Sequence, residues 1–565
     1  MSKRHRLGPI SRRSALRAGV TVAGGATAAW LVACAGGGAG QQGGSASGAT
    51  TRTGDAGTPK SGGTLVWGME SDIDPIDPHT VNAWVTWRVN YQMFETLVAK
   101  DLTVDTKGAT QPDVPRLAES YETTDGAAYV FKLRKNVKFH DDTEFNAEAV
   151  KANFERWIDK SNPNFNVRAQ RRQQYLIQHL DKIETPDSHT IIFKNKRAYG
   201  EFIPLQTGYF FPAMLSPTAL KKWGNDDIAK HPTGTGPFKF VERVEGQRIV
   251  IERNPNYWGS KAYLDKIVFR PIPEPVARVT ALQTGEASLI FVPPPDNLDQ
   301  LRSAGFKTLQ GPTPHIWYMN MNLLNPAMRD VRVRKAFQLA IDKEGMAKNL
   351  LRDTVTPAHQ MHAPGAPAHD PTFKMYKYDP AEAKKLLAAA GFPNGFKTQW
   401  WFAAAGSGNI LPVAMAEWIQ RDLAKVGVQM EITSQEWIAY LGALNDLLKL
   451  ENMASYQMSW GMSTNFWLNV IGHGKWRTTE FPGTWFWKYD EANTERLNAV
   501  FDKAEVTADR EESNKLYREA NQLIMDTAWY LPIVHDSAPI VMQSKVNGLV
   551  HATEEAYDAR PVWLS

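Results

Sequence analysis

The residues with the clearest chemical potential are indole rings and small hydroxyl or amide side chains, most of them late in the chain. The sequence holds 19 tryptophans, and Trp460 begins a segment that continues Gly461-Met462-Ser463-Thr464-Asn465. Rings of this kind stack on ligands, while hydroxyls and amides make neutral hydrogen bonds. This pairing favours non-covalent binding of a polar molecule. The predicted ligand-binding residues are Trp67, Trp84, Trp400, Trp401, Trp437, Trp460, Gly461, Ser463, Thr464 and Asn465.

Residue patterns for covalent or metal chemistry are weak. The sequence has no Gly-x-Ser-x-Gly elbow and no His-Glu-x-x-His, and Cys34 is its single cysteine. His140 beside Asp141 is more typical of a hydrogen-bonded turn than of a metal site, and His359-x-x-His362 lies in an Ala/Pro-rich stretch. We therefore predict that the protein is not an enzyme and uses no metal or cofactor. A secreted hydrolase and a ligand sensor remain alternatives.

The stretch from His231 to Arg270 sets the local structure around which the chain is organised. The turn Gly234-Thr235-Gly236-Pro237 should lead into a strand at 238–243, a second strand should return at 249–251, and a third should follow at 267–269. Asn254-Pro255 ends the second strand, because proline offers no ladder donor. A phosphate loop would need a further glycine or Gly-Lys-Ser/Thr opening a helix, which this turn lacks.

These motifs resemble the signature of the peptide/nickel family of extracytoplasmic solute-binding proteins, the ligand-capturing subunits of ABC importers. Gly234-Thr-Gly-Pro-Phe238, Arg253-Asn-Pro-x-Tyr-Trp-Gly259 and Leu264-Asp-x-Ile267 occur in the order and spacing of that family. So does the segment Tyr378 to Gly391, where Asp379 is placed to cap a helix, Pro380 to begin it and Gly391 to end it. The resemblance runs from Gly63 to the C-terminus.

The resemblance implies an α/β fold: a two-lobed periplasmic-binding-protein type II clamp with an extra subdomain and a ligand between the lobes. The implied core of lobe 1 is made of residues 63–100, 216–311 and 531–565. Residues 101–215 form the extra subdomain of lobe 1, and residues 312–530 form lobe 2. The implied partners are a small or oligomeric ligand and ABC permease subunits, with the binding protein itself a monomer.

The first 34 residues are predicted to be a targeting segment. Arg12-Arg13 lies in a stretch that resembles a twin-arginine export signal, and Leu31-Val-Ala-Cys34 resembles a bacterial lipobox, which implies lipidation of Cys34. Residues 35–62 are rich in Gly, Ala, Ser and Thr and should form a flexible tether with a span of about 30 Å. The predicted location is extracytoplasmic, with a lipid anchor in the cell membrane.

Removal of that segment changes what the net charge implies. The whole chain has 64 basic and 60 acidic residues, but residues 1–34 carry six of the basic ones and no acid. The remaining chain has 58 basic and 60 acidic residues, a net charge of −2. The charge balance gives no support for nucleic-acid binding.

One departure from the family pattern concerns the ligand. In peptide-binding members the segment at Trp460 resembles Trp-x-x-Asp-Tyr, and its aspartate pairs with the ammonium of the peptide. Ser463 occupies that position here. Because a buried ammonium without a counter-ion is costly, the ligand could be an oligosaccharide, a modified peptide or another uncharged polar molecule, unless Asp446 or Glu451 supplies the acid.

Overall fold

The structure is a computed structural model that describes residues 57–81, 83–207, 212–406, 408–477 and 483–565. The predictions for Arg12, Arg13, Cys34 and tether residues 35–56 lie outside the described residues. Gly62, placed in the tether by the sequence analysis, donates a backbone hydrogen bond to the carbonyl of Tyr263 at 2.8 Å. The folded body therefore begins slightly before the predicted boundary.

The core of lobe 1 is a mixed sheet of seven strands among the described residues. Thr64–Met69 lies inside it and runs parallel to both neighbours. In sheet order the strands are Lys307–Leu309, Ile540–Met542, Leu289–Phe291, Thr64–Met69, Lys266–Pro271, Arg248–Arg253 and Phe238–Val244. The last three confirm the strands predicted from the signature stretch.

The extra subdomain contains a four-stranded sheet, and lobe 2 contains a six-stranded one in the described part of the chain. The smaller sheet has the order Ala118–Thr123, Ala128–Leu133, Thr190–Asn195 and Leu180–Asp187. The larger has the order Val355–Pro357, Tyr530–Asp536, His315–Met321, Met453–Gly461, Lys397–Ala403 and Gln429–Gln435. The described residues also form two short antiparallel pairs of strands. These are Val98–Lys100 with Asp113–Pro115, and Val546–Asn547 with Trp563–Leu564.

The helices cover these sheets. In lobe 1 they are Trp84–Met93, Ala147–Ile158, Val167–Ile177, Pro204–Thr207, Pro217–Asp227, Pro275–Thr284 and Leu298–Ser303. In lobe 2 they are Val331–Ala340, Lys343–Gly345, Pro380–Ala389, Pro412–Lys425, Trp437–Leu447, Phe466–Gly472, Phe486–Tyr489, Glu491–Val506 and Arg510–Thr527. Asp379 caps its helix as predicted, accepting a hydrogen bond from the Glu382 amide at 2.9 Å. Among the described residues no helix is long and apolar enough to cross a membrane.

One predicted strand belongs to a different lobe. Tyr530–Asp536, assigned almost entirely to the returning part of lobe 1, pairs instead with His315–Met321 in the sheet of lobe 2. The chain returns to lobe 1 only with Ile540–Met542, which pairs with Leu289–Phe291. The reason is that the fully buried run 530–536 fills the gap between two strands of lobe 2, where its backbone groups are paired on both sides.

The signature residues converge on a buried carboxylate, that of Glu95. One carboxylate oxygen accepts hydrogen bonds from Thr235 Oγ1 at 2.9 Å and Trp258 Nε1 at 2.8 Å. The other accepts one from the Tyr257 hydroxyl at 2.7 Å and pairs with Arg116 Nε at 2.7 Å. The motif residues thus satisfy the carboxylate with hydrogen bonds and Arg116 neutralises it, inside lobe 1 where an unpaired carboxylate would be costly.

The glycines of the same motif allow close backbone approach. A Cβ atom at Gly234 would lie 2.1 Å from the carbonyl oxygen of Met93, and one at Gly236 would lie 2.6 Å from the Met93 carbonyl carbon. The Gly236 amide donates to that oxygen at 2.9 Å. Because the atoms that approach are backbone, no side chain could move aside to admit a larger residue.

We predict that Glu95→Gln lowers the free energy of unfolding by about 3 kcal/mol, because an amide cannot accept all four donors and leaves Arg116 buried without its anion. Chemical denaturation monitored by circular dichroism measures the change. Glu119→Gln, at an exposed position of the strand Ala118–Thr123, is the control and should change stability little. Equal stability of the two variants would contradict the role given to Glu95.

Candidate functional site

The two lobes meet through buried polar contacts that bring distant parts of the sequence together. Glu505 of lobe 2 accepts a hydrogen bond from Arg197 of the extra subdomain at 2.9 Å. Its other oxygen lies 3.2 Å from His179 Nε2, and Lys475 of lobe 2 completes the cluster at 2.9 Å. Although burial opposes ionisation, hydrogen bonds from His179 and Lys475 hold the pKa of Glu505 well below its usual range. These contacts describe a closed arrangement of the lobes.

A cavity of about 250 Å³ lies between the extra subdomain and lobe 2. Its lining is almost entirely polar or small. The lining residues are Lys100, Gln111, Pro112, Asp113, Gly200, Glu201, Pro204, Thr207, Pro367, Ser463, Thr464, Asn465, Thr507, Arg510, Ser513 and Asn514. Polar walls contributed by both lobes suit a polar solute more than an apolar one.

Three predicted site residues, Ser463, Thr464 and Asn465, line this cavity just before the helix Phe466–Gly472. The Asn465 amide is fixed, since it accepts a hydrogen bond from Ala368 N at 3.1 Å and donates one to Asn514 at 2.7 Å. Ser463 Oγ accepts a hydrogen bond from Trp467 Nε1 at 3.2 Å. The Thr464 hydroxyl is buried and has no hydrogen-bond partner among the described residues.

Trp67 and Trp400 lie elsewhere, which corrects their inclusion in the binding set. Both are fully buried. Trp67 stacks on Phe291 with ring centroids 5.6 Å apart, within the core of lobe 1. Trp400 packs edge-on against Trp317 at 5.9 Å, inside lobe 2. Large rings on central strands are drawn into the core by the area they bury, so we do not retain these two as ligand contacts.

Trp84 and Gly461 form a contact between the lobes instead of lining the cavity. Trp84, on the helix of lobe 1, packs against His315 of lobe 2 with ring centroids 5.0 Å apart. A Cβ atom at Gly461 would lie 2.2 Å from Cζ2 of Trp84. His315 in turn contacts Glu555 of lobe 1 at 3.0 Å. The missing side chain at Gly461 thus admits the indole ring as the lobes come together.

Trp401, Trp437 and Trp460 are half-buried at lobe 2 and do not line the cavity. The Trp460 ring packs near Trp467, with ring centroids 6.3 Å apart. Ligand contact by these three rings stays a prediction.

Sequence reasoning missed the charged residues of the cavity. Asp113 pairs with Lys100 at 2.7 Å and with Arg510 at 2.8 Å. Burial opposes ionisation of Asp113, but the two cations hold its pKa below the usual range. Glu201 faces the same space, and the Tyr517 hydroxyl donates a hydrogen bond to it at 2.8 Å. No local motif marks these residues, because only the folding of three separate regions brings them to one cavity.

The fold and the cavity define a class of protein: a two-lobed clamp with a polar cavity between its lobes. The family model for bacterial extracellular solute-binding proteins, family 5 (middle), matches residues 114–470. The chain belongs to this family. It is an extracytoplasmic solute-binding protein of the kind that serves ABC importers, and each of the relatives described below is named as a binding protein.

Individual relatives are distant but cover most of the chain. A glutathione-binding protein, GsiB, from Shigella flexneri serotype 5b is 28% identical over 479 residues, covering 83% of this chain and 88% of its own length. Heme-binding protein A from Haemophilus influenzae is 27% identical over 469 residues, covering 80% of this chain and 84% of its own. The structure of the periplasmic binding protein DppA from Helicobacter pylori, in complex with the peptide STSA, is 27% identical with a TM-score of 0.75, covering 89% of this chain and 98% of DppA.

We predict that Gly461→Ala keeps the lobes further apart, because the new methyl group would overlap the Trp84 ring that closure places there. Small-angle X-ray scattering should give a larger radius of gyration for the variant, with both proteins purified without refolding so that any bound ligand is retained. Gly442→Ala is the matched control, since a Cβ atom there meets nothing within 4 Å. An unchanged radius for Gly461→Ala would contradict the proposed packing.

Proposed function

We propose that this protein captures a compact, polar, peptide-class ligand between its lobes and delivers it to an ABC permease. The observation that carries the proposal is the polar cavity of about 250 Å³ walled by both the extra subdomain and lobe 2. Ligand pockets commonly have volumes of about 300–1,000 Å³. A cavity slightly below that range suits a short ligand better than a long oligomer.

The chemistry of the lining favours a peptide-class ligand over an oligosaccharide. A sugar site would use exposed ring faces for stacking, but the residues that line the cavity include no tryptophan. They include two cations and two carboxylates, which suit a ligand with charges of its own. The names of two relatives agree with this, since one binds glutathione and another was solved with a peptide.

Ligand capture would proceed by a shift of population between open and closed forms. A molecule that touches Thr464 on one wall and Glu201 on the other stabilises the closed form only, because those walls belong to different lobes. The closed form then docks on the permease, whose partner subunits hydrolyse ATP. This role requires no covalent chemistry from the binding protein.

We expect the purified protein to bind short free peptides. Isothermal titration calorimetry with dialanine, reduced glutathione and maltotriose compares the classes, and native mass spectrometry of protein purified without refolding identifies any bound molecule. The proposal is supported if the bound molecule has the mass of a peptide, or if either peptide binds with measurable affinity. Binding of maltotriose alone would favour the oligosaccharide alternative. An empty protein that binds none of the three would count against the proposed function.

The proposed attachment to the membrane rests on Cys34 within Leu31-Val-Ala-Cys34. Lipidation there would leave residues 35–56 and the first described residues as a link to the folded body. We expect Cys34→Ala to move the protein from the membrane fraction to the soluble fraction of a bacterial host, whereas Ser45→Ala should leave it in the membrane. Mass spectrometry of the wild-type N-terminus should detect the lipid. Membrane attachment that survives Cys34→Ala would exclude this anchor.

A further inference from the structure

Glu201 is a cavity residue whose carboxylate has no ion-pair partner among the described residues. The residue is 3% exposed and lines the cavity between the lobes. Its carboxylate accepts a hydrogen bond from the Tyr517 hydroxyl, and no cation of the described residues forms an ion pair with it. Arg510, which also lines the cavity, is paired with Asp113. A buried carboxylate of this kind is costly unless something else neutralises it.

The position of Glu201 is fixed by the backbone before it. The Gly200 amide donates to the carbonyl of Glu505 at 2.8 Å. A Cβ atom at Gly200 would lie 2.0 Å from the carbonyl oxygen of Thr507, so only glycine fits against lobe 2 at this point. Closure therefore seats Glu201 on the cavity wall with one hydroxyl partner, and the cation that faces it, Arg510, is already ion-paired with Asp113.

Building on the function proposed above, we propose that Glu201 is the carboxylate that receives a primary ammonium group of the ligand. It supplies from the extra subdomain the negative charge that Ser463 cannot supply from lobe 2. The ammonium has three donors, and the opposite wall includes Thr464, whose hydroxyl has no hydrogen-bond partner among the described residues. Recognition of the ammonium is thereby coupled to lobe closure.

The other charges of the cavity complement an anionic group on the same ligand. Asp113 is shared between Lys100 and Arg510, so that this trio has one net positive charge. Glu201 contributes one negative charge elsewhere on the lining. The cavity therefore presents one surplus charge of each sign, which matches a zwitterion such as a short free peptide.

The acid–base state of Glu201 gives a second line of support. Burial raises the pKa of Glu201 to about 7. A bound ammonium would lower it again and favour the ionised form. The groups that face Glu201 from the elements packed around it are Tyr129, Tyr199, Tyr517, Glu505 and Arg510. Binding of an amine should therefore strengthen as the pH rises from 6 to 7.5.

The test compares amines with their acetylated forms, using calorimetry at pH 7.5. The probes are dialanine and N-acetyl-dialanine, with reduced glutathione and N-acetyl-glutathione as a second pair. The unsubstituted protein should bind the free amines at least about 30-fold more tightly than the acetylated forms. Glu201→Gln should lose this preference and also the weakening of amine binding at pH 6.

Glu554→Gln is the matched control. Glu554 is also 3% exposed, and burial raises its pKa to about 7, but it does not line the cavity. The Glu554→Gln variant should keep both the preference for free amines and the pH dependence of amine binding. Thermal unfolding establishes that both variants are folded.

The outcomes separate this inference from the function on which it rests. Equal binding of free and acetylated probes, or an amine preference that survives Glu201→Gln, would overturn the role of Glu201 while leaving peptide capture in place. Binding of maltotriose alone would overturn the recognition of an ammonium group but would leave solute capture in place. A protein that binds no probe and carries no ligand in native mass spectrometry would refute the proposed function itself.

Discussion

The buried carboxylate of Glu95 is the interaction on which the architecture of lobe 1 depends. Four donors reach it from two regions: Thr235, Tyr257 and Trp258 from the signature stretch, and Arg116 from the entry to the extra subdomain. An ion inside a protein is costly unless its partners satisfy it. In this protein the signature stretch therefore supplies hydrogen-bond donors for a buried charge.

This constraint extends from the core to the cavity through a short length of chain. Glu95 lies two residues after the end of the helix Trp84–Met93, whose first residue packs against Gly461 and His315 of lobe 2. It also lies five residues before Lys100, which lines the cavity. Because Gly234 and Gly236 fit against the backbone of Met93, the helix and the strand after it have little freedom to move relative to the sheet. One anchored segment thus sets both a lobe contact and a cavity wall.

The parts of the structure that local sequence could predict are those decided by local physics. The turn and strands of the signature stretch and the capped helix after Asp379 follow from backbone preferences of Gly, Pro, Asn and Asp. The lobe of Tyr530–Asp536 could not be predicted, because a fully buried apolar strand fits the interior of either sheet. The same limit affected Trp67 and Trp400, since a ring suited to stacking on a ligand is equally suited to a core. No sequence pattern pointed to Glu201, because the feature that distinguishes it, a buried carboxylate without an ion-pair partner of its own, exists only in the folded structure.

The contrast between Glu505 and Glu201 shows how the same side chain takes different roles at one interface. Both are buried where the extra subdomain meets lobe 2. Glu505 is surrounded by Lys475, Arg197 and His179, and its pKa is held low even though burial opposes this. Its charge is neutralised by the protein, so it joins the lobes whatever the ligand. Glu201 has only a hydroxyl partner, and burial raises its pKa. Near neutral pH its charge is therefore only partly retained, and under the role proposed for Glu201 a bound ammonium would favour the ionised form and make closure around a cationic group more favourable than closure around a neutral one.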